Sequence, residues 1–314
     1  MLDSAPAAAA SDERVAYQGP LRGLVNHKNE CYANSTLQVL LRTLTPKAVD
    51  LLQQDLESIP VGLRYPDAVV ATALVEVLVK LATSPRGKPC DPINFVRVMK
   101  RRLYGYHANL QHDAGEFFRD LIGSTPNFQK LFCGTSTVTL QCNKCNFLSV
   151  HEAKPIFMWT LPIAHVGSLH ECIERYLDAE DVGWVCDECK NKTTASKAQL
   201  LAFGEHVCIA LNRFNNDAVK DVRRVEYEPT IMLHSVHDKT EVEYDLTAVI
   251  CHTGASTTSG HYFCFIASEN GEPICTMLND KDDPVDLPSD QMLSLDTAYI
   301  LYYVCLLFFP ILVS

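Results

Sequence analysis

Cys31 stands where a polar run, Asn26-His-Lys-Asn-Glu30, gives way to an apolar helical pattern at Leu37, Leu40, Leu41 and Leu44. A cysteine in the first turn of a helix has backbone N–H groups and the positive end of the macrodipole directed at its sulfur, and both favour thiolate over thiol. That position makes Cys31 a candidate nucleophile, although most cysteines so placed do no chemistry. A thiolate nucleophile works with a base or imidazolium, and that group in turn needs an orienter. Of the eleven histidines, His261 has an unusual setting: the Gly/Ser/Thr loop 253–260 delivers it to the first position of an apolar strand, Tyr262-Phe-Cys-Phe-Ile266. Eighteen residues on, Asn279-Asp280 lies where a hairpin partner would return, which places either side chain to fix the imidazole tautomer. A solvated acidic turn is the plainer reading of 279–283.

A second constellation is Cys142-Asn-Lys-Cys145 with Cys186-Asp-Glu-Cys189. Each knuckle offers two thiolates, and two knuckles complete one tetrahedral Zn²⁺ site with no open position, hence a structural and not a catalytic metal. Forty residues separate the pairs, more than the ~15–20 of a compact ribbon, so the intervening chain must have structure of its own. Four unmetallated cysteines are the alternative. Trp184 and Phe147 read as packing for that subdomain. Asp113, Glu116 and Asp120 fall at i, i+3 and i+7 on one helix face, by default a solvated one.

These residues need a scaffold to bring them together. The chain has 314 residues, 47% hydrophobic and 21% charged, which suits a soluble globular protein with a large core. The net charge of −11 argues against a nucleic-acid partner, whose backbone is held by clustered Lys and Arg. It is compatible with a basic protein or peptide. The start, Met1-Leu-Asp-Ser-Ala-Pro, lacks the basic and apolar regions of a signal peptide, so the thirteen cysteines are expected reduced, in the cytoplasm or nucleus. The apolar end, Tyr299–Val313, spans about fifteen residues and contains Pro310, short of the roughly 20 that cross a bilayer. Its first part, Tyr299–Val304, reads as a buried strand, and a membrane anchor is not expected.

Helical patterns follow one another over Cys31–Leu44 (stopped by Pro46), 68–83, 93–104 (basic at Arg97, Lys100, Arg101 and Arg102) and Gln111–Ile122, the last stopped by Gly123. After residue 130 short β-branched or aromatic segments take over: Thr135–Gln141, His206–Phe214, Tyr244–Cys251 and His261–Ala267. Helices first and strands after make an α+β chain. The expected organisation is a mobile tail over 1–17, one large domain over 18–304 with a metal-bound subdomain embedded at roughly 134–215, and an apolar tail over 305–314. A monomer is expected.

The chain resembles the ubiquitin-specific protease family of deubiquitinases. Five pieces carry the resemblance, in family order over roughly residues 20–304: Gly23-Leu-Val-Asn26-His-Lys-Asn-Glu-Cys31-Tyr-Ala-Asn-Ser-Thr; Gln111-His-Asp113-Ala-Gly-Glu116-Phe-Phe; Tyr244 to Gly254 with Gly260-His261-Tyr262; Asn279-Asp280; and Ala298-Tyr299-Ile-Leu-Tyr-Tyr303. It implies a papain-like cysteine protease fold with a helical thumb, a β palm and zinc-bearing β fingers. It implies a thiol isopeptidase that cuts between the terminal glycine of ubiquitin and a substrate lysine, with ubiquitin and ubiquitinated proteins as partners. Cys31 would be the nucleophile, His261 the general base and acid, Asn279 the orienter with Asp280 beside it, and Asn26 an oxyanion donor. Gln111, Asp113 and Glu116 would line the channel for ubiquitin's arginine-bearing tail, with Asp113 foremost. Cys142, Cys145, Cys186 and Cys189 would hold one structural zinc. Two departures stand out. The family usually has Gly and Thr where this chain has Lys28 and Glu30, and a carboxylate beside the sulfur opposes thiolate formation, with Lys28 as the expected counter-charge. Aromatics are also common where Met277-Leu278 stand. Two other readings therefore stay open here: a ubiquitin-binding scaffold with little or no catalysis, and a protease for another ubiquitin-like modifier.

Overall fold

The structure is a computed structural model and describes residues 19–57, 66–83, 88–102, 106, 110–178, 180–214, 220–236, 240–256, 259–268 and 272–305. The expected tail over 1–17 and all but Cys305 of the tail over 305–314 lie outside the described residues.

The helical half comes first: α1 (Cys31–Leu41), α2 (Pro46–Glu57), α3 (Pro66–Thr83), α4 (Ile93–Arg102), α5 (Ala114–Gly123) and a 3₁₀ turn over Phe128–Phe132. All eleven residues of α1 are buried; α3 and α5 pack against it, and α2 and α4 pack on α3. Pro46 does not stop α1, which has already ended at Leu41. It opens α2, at the first helical position where a missing N–H is harmless, and Thr45 Oγ1 caps that helix by accepting from Ala48 N at 3.1 Å. Helix α5 starts three residues later than its apolar pattern suggested. Asp113 is its N-cap, with Oδ1 accepting from Glu116 N at 2.9 Å, so Gln111 and Asp113 precede the helix instead of lying along its face. Gly123 is the last helical residue, and Ser124 is the C-cap.

The strands form two sheets. The larger has the order β12 (Val285–Pro288), β11 (Ile274–Leu278), β10 (Ser259–Ala267), β9 (Glu241–Ser256), β13 (Ala298–Val304), β7 (His206–Asn212), β4 (Trp159–Pro162), with β8 (Thr230–His234) paired to β9. Side chains alternate across a strand, and the two faces feed two cores. Cys208, Ala210, Tyr262, Cys264, Ile266, Ile300 and Tyr302 join the helical core around α1. Ile209, Leu211, Phe265, Leu301 and Tyr303 face the opposite way, onto a core shared with α6 (Leu169–Leu177). The apolar stretch Tyr299–Val304 is therefore the buried strand its composition suggested, covered on both sides.

The smaller sheet has the order β2 (Leu148–Val150), β1 (Gly134–Cys142), β6 (Lys192–Ala202), β5 (Glu180–Val185), with β3 (Lys154–Ile156) paired to β1. The embedded subdomain is thus not the continuous block 134–215: between β3 and β5 the chain returns to the larger sheet as β4, which pairs in parallel with β7, and β7 itself belongs to that sheet. Among the described residues no helix is long and apolar enough to cross a membrane.

Candidate active site

The loop 23–30 reaches α1 between two clamps. Val25 N donates to Cys90 O and Cys90 N to Gly23 O, both at 2.9 Å, and on the other side Leu24 N donates to Asp280 O at 2.6 Å. The turn after β11 comes so close that a Cβ on Gly23 would sit 2.7 Å from Asp280 O and from Lys281 C. Only glycine permits that approach. Asp280 itself has φ +45, a left-handed conformation that Asp tolerates better than most residues.

Cys31 is the first residue of α1 and is buried. His261 is the third residue of β10, opposite Thr253 of β9. The Cys31 side chain and the His261 ring are neighbours, and the sulfur is the largest influence on the ionisation of the ring. His261 Nε2 lies 2.6 Å from Asn279 Oδ1 and 3.9 Å from Asp280 Oδ2. Asn279 is held in turn, its Nδ2 donating to Asp282 Oδ2 at 2.9 Å. The Cys31 sulfur beside it raises the imidazole pKa to about 9; burial works against this, and Asn279 and the Asp280 charge add to it.

Asp280 does a different task from the one its place beside Asn279 suggests. Its Oδ2 accepts from Asn26 Nδ2 at 2.8 Å and its Oδ1 from Asn34 Nδ2 at 2.7 Å. Asn26 Oδ1 accepts from Lys28 N and Glu30 N, both at 3.1 Å, so the Asn26 amide is fixed at both ends. An amide nitrogen has two N–H donors, and the second one on Asn26 has no partner among the described residues. Asn34, one turn into α1, was not singled out by the sequence. The available signal was an Asn three residues after the candidate nucleophile, in the first turn of the same helix.

Glu30 is buried, and its counter-charge is Lys100 of α4, not Lys28. Lys100 Nζ donates to Glu30 Oε1 at 2.8 Å, whereas Lys28 contributes its backbone N–H, 2.7 Å from Oε2. Burial alone would raise the Glu30 pKa, but Lys100 and the backbone donors outweigh it and hold the carboxyl below its ordinary range.

Gln111 grips the strand that carries His261: its Nε2 donates to Gly260 O at 2.8 Å and Gly260 N donates to its Oε1 at 2.6 Å. Asp113, besides capping α5, accepts from the hydroxyls of Tyr262 (3.3 Å) and Tyr299. Both residues are thus engaged inside the protein, while Glu116 is exposed.

At the far end of the smaller sheet the sulfurs of Cys142, Cys145, Cys186 and Cys189 all lie within 4.8 Å of one another. The two knuckles match. Asn146 N donates to Cys142 O and Lys190 N to Cys186 O, each at 2.9 Å, and Asn146 and Lys190 both have left-handed φ, +60 and +57. The closest sulfur pairs are 3.6 and 3.9 Å apart, against the roughly 3.8 Å that tetrahedral Zn–S bonds of ~2.3 Å imply. Backbone and side-chain N–H groups of Asn191 bring the Cys189 thiol down to about 6. Cys145 goes the other way, to about 12, because desolvation and its neighbouring thiols together outweigh the Phe147 N–H. Four thiols so close cannot all ionise without a cation among them. Phe147 and Trp184 stack alongside, ring centroids 6.5 Å apart.

The family model described as ubiquitin carboxyl-terminal hydrolase matches residues 22–303. The chain belongs to that family. Two relatives in the ubiquitin carboxyl-terminal hydrolase family are ubiquitin carboxyl-terminal hydrolase 42 of Homo sapiens and 17-like protein B of Mus musculus. The first is 26% identical over 90% of this chain and 23% of its own length. The second is 25% identical over 91% of this chain and 64% of its own length. The chain therefore spans about a quarter of the first and under two thirds of the second. Among solved structures, the SAGA DUB module bound to monoubiquitin is similar with a TM-score of 0.76, 20% identity, and coverage of 94% of this chain and 70% of that one. The same module bound to ubiquitin aldehyde gives 0.75, 20%, 95% and 71%. The α+β architecture of helical thumb, β palm and β fingers is thus that of a known hydrolase fold, and the four-cysteine cluster lies in the fingers.

Proposed function

We propose that this chain is the catalytic unit of a thiol-dependent deubiquitinase, which hydrolyses the bond between the terminal glycine of ubiquitin and a lysine of a conjugated protein. The observation that carries the reading is the line from Cys31 through His261 to Asn279: a sulfur at a helix N-terminus, beside an imidazole whose pKa it raises and whose Nε2 is held by Asn279 at 2.6 Å. Family membership and the ubiquitin-bound relatives of the fold support the choice of substrate.

In the reaction, the Cys31 thiolate attacks the carbonyl carbon of the terminal glycine. The oxyanion takes the second N–H of Asn26 and backbone N–H groups at the start of α1; such donors work when aimed at charge that develops only in the transition state. Collapse of the tetrahedral adduct breaks the C–N bond, and the His261 imidazolium gives its proton to the departing lysine amine. A water then attacks the thioester, passing a proton to His261, and ubiquitin leaves with a free carboxylate while Cys31 is regenerated. Asn279 fixes the imidazole throughout.

Glu116 is the carboxylate placed for the arginines of ubiquitin's tail. Gln111 acts mainly on the His261 strand, and Asp113 keeps one lone pair beyond its three internal partners, out of about four sites on a carboxylate. One Zn²⁺ on Cys142, Cys145, Cys186 and Cys189 supplies structural rigidity to the fingers. The free thiols this chemistry needs suit a reducing compartment, cytosol or nucleus.

An electrophilic ubiquitin probe tests the reading: a covalent adduct is expected on Cys31 and absent in Cys31→Ala. Binding of ubiquitin with neither an adduct nor release from a fluorogenic conjugate would leave the scaffold reading. Adducts with a different modifier's probe, and none with ubiquitin, would reassign the substrate.

A further inference from the structure

Glu30 precedes α1, the position from which a side chain ordinarily caps the first free N–H groups of a helix. It does not do so. Its backbone carbonyl accepts from Ala33 N and Asn34 N, both at 2.9 Å, and its carboxylate is engaged elsewhere, Oε2 with Lys28 N at 2.7 Å and Oε1 with Lys100 Nζ at 2.8 Å. The two side chains are only 4% and 16% exposed, so the pair is shielded from solvent. The Lys28 N–H is a shared donor, since it also reaches Asn26 Oδ1 at 3.1 Å. Glu30 and Asn26 therefore brace the same turn of the loop.

An ionised carboxylate grips an N–H more strongly than a hydroxyl does, but an unbalanced carboxylate next to a nucleophilic sulfur opposes its ionisation. Lys100 removes that conflict. We propose that Glu30 and Lys100 are a positioning pair: Glu30 stiffens the loop that presents Asn26, and Lys100, reaching in from the last turn of α4, cancels the Glu30 charge so that the Cys31 thiolate is not penalised. The pair deepens the proposed function and rests on Cys31 being its nucleophile. Where the family pattern has Thr, this chain has an ionic brace whose cation comes from a separate helix.

The charged and titratable groups around this corner are His261 from β10, Asp280 and Asp282 from the turn after β11, His27 paired with Asp91 at 2.9 Å, and Lys80 of α3, whose Nζ donates to Asp91 O at 3.1 Å. Lys28 and Tyr32 flank Glu30 and Cys31 in the chain. The variants below leave all of them in place.

The experiment follows carbamidomethylation of Cys31 by iodoacetamide as a function of pH, quantified on the Cys31 peptide by mass spectrometry, in the full chain. Fluorogenic ubiquitin hydrolysis is measured in parallel. Lys100→Met, which leaves Glu30 unbalanced, is expected to move the alkylation profile up by about one pH unit and to slow alkylation at neutral pH about tenfold. Glu30→Gln, nearly isosteric, leaves the cation unbalanced and is expected to move the profile down. The double variant should return to the wild-type profile, with kcat tracking the alkylation rate and KM little changed. A purely structural pair would slow both single variants and give no rescue. Shifts in the same direction, no shift, or a double variant as slow as Lys100→Met would overturn the proposal. If Lys100→Met does not fold, the direction of the Glu30→Gln shift decides alone. Alkylation needs no ubiquitin, so an absence of ubiquitin hydrolysis in the wild type would count against the proposed function and leave this comparison intact.

Discussion

Gly23 and Asp280 are in contact at the start of the loop that leads to Cys31: Leu24 N, the next donor along the chain, is bonded to Asp280 O at 2.6 Å, and a Cβ on Gly23 would fall 2.7 Å from that same oxygen. The turn that carries Asn279 and the loop that carries Asn26 are thereby fixed to each other before any substrate arrives. Gly23→Ala must push the 280–282 turn away. The expected cost is about 1–3 kcal/mol of stability, with a fall in kcat because Asn279 and Asp280 move together. Gly183→Ala, where an added Cβ meets nothing within 4 Å, is the control, and thermal melts and steady-state rates of the two variants make the comparison. Equal behaviour would mean that the turn yields freely.

His261 provides a pH test. Its pKa rises from 6.5 in the unfolded chain to about 9 in the fold, first through the Cys31 sulfur beside it. A raised folded-state pKa stabilises the fold fully below about 6.5, and that contribution fades as pH climbs through about 9. In Cys31→Ala the main cause is gone, so the His261 ring signal in NMR should titrate well below the wild-type midpoint. The excess loss of melting temperature between pH 6.5 and 9 should shrink with it. An unchanged midpoint in that variant would mean the two side chains are not coupled.

Catalytic rates should separate the acid–base group from its orienter. His261→Ala removes proton transfer, worth roughly 10²–10⁴-fold, and is expected to abolish measurable turnover. Asn279→Ala removes one hydrogen bond to a charged ring, about 1.5–3 kcal/mol, and should lower kcat roughly 10- to 100-fold with KM little changed. Wild-type rates in either variant would contradict the assigned roles.

The four-cysteine cluster makes a separate prediction, read by metal analysis and calorimetry. About one equivalent of zinc per chain is expected, and chelation or Cys186→Ser should lower the melting temperature, since structural zinc binding carries roughly 10 kcal/mol or more. Cys31 alkylation should change little, because the cluster lies in the other sheet from β10. A metal-free chain with unchanged melting would show that the cysteines are incidental.

What could be read from the sequence was whatever local spacing encodes. The cysteine at a helix start, the histidine leading into an apolar strand, the two CxxC knuckles and the doubly apolar strand at 299–304 each follow from a few neighbouring residues and the periods of helix and strand. Even there a signal was passed over: Thr45-Pro46 is a cap followed by a proline at the first helical position, and it opens α2 instead of ending α1. What only the tertiary structure decided is which distant groups meet. Asp280 could not be separated from Asn279 by sequence, yet one turns to His261 while the other holds Asn26 and Asn34. Lys100 looked like one basic residue among four on α4, and the packing of α4 beside the Cys31 loop makes it the partner of Glu30. Asp113 read as part of a solvated helix face and is bonded inward, as is Gln111. Hydrogen bonds and ion pairs act over a few ångströms, and no residue's spacing along the chain reveals which side chain from another element will stand within that reach.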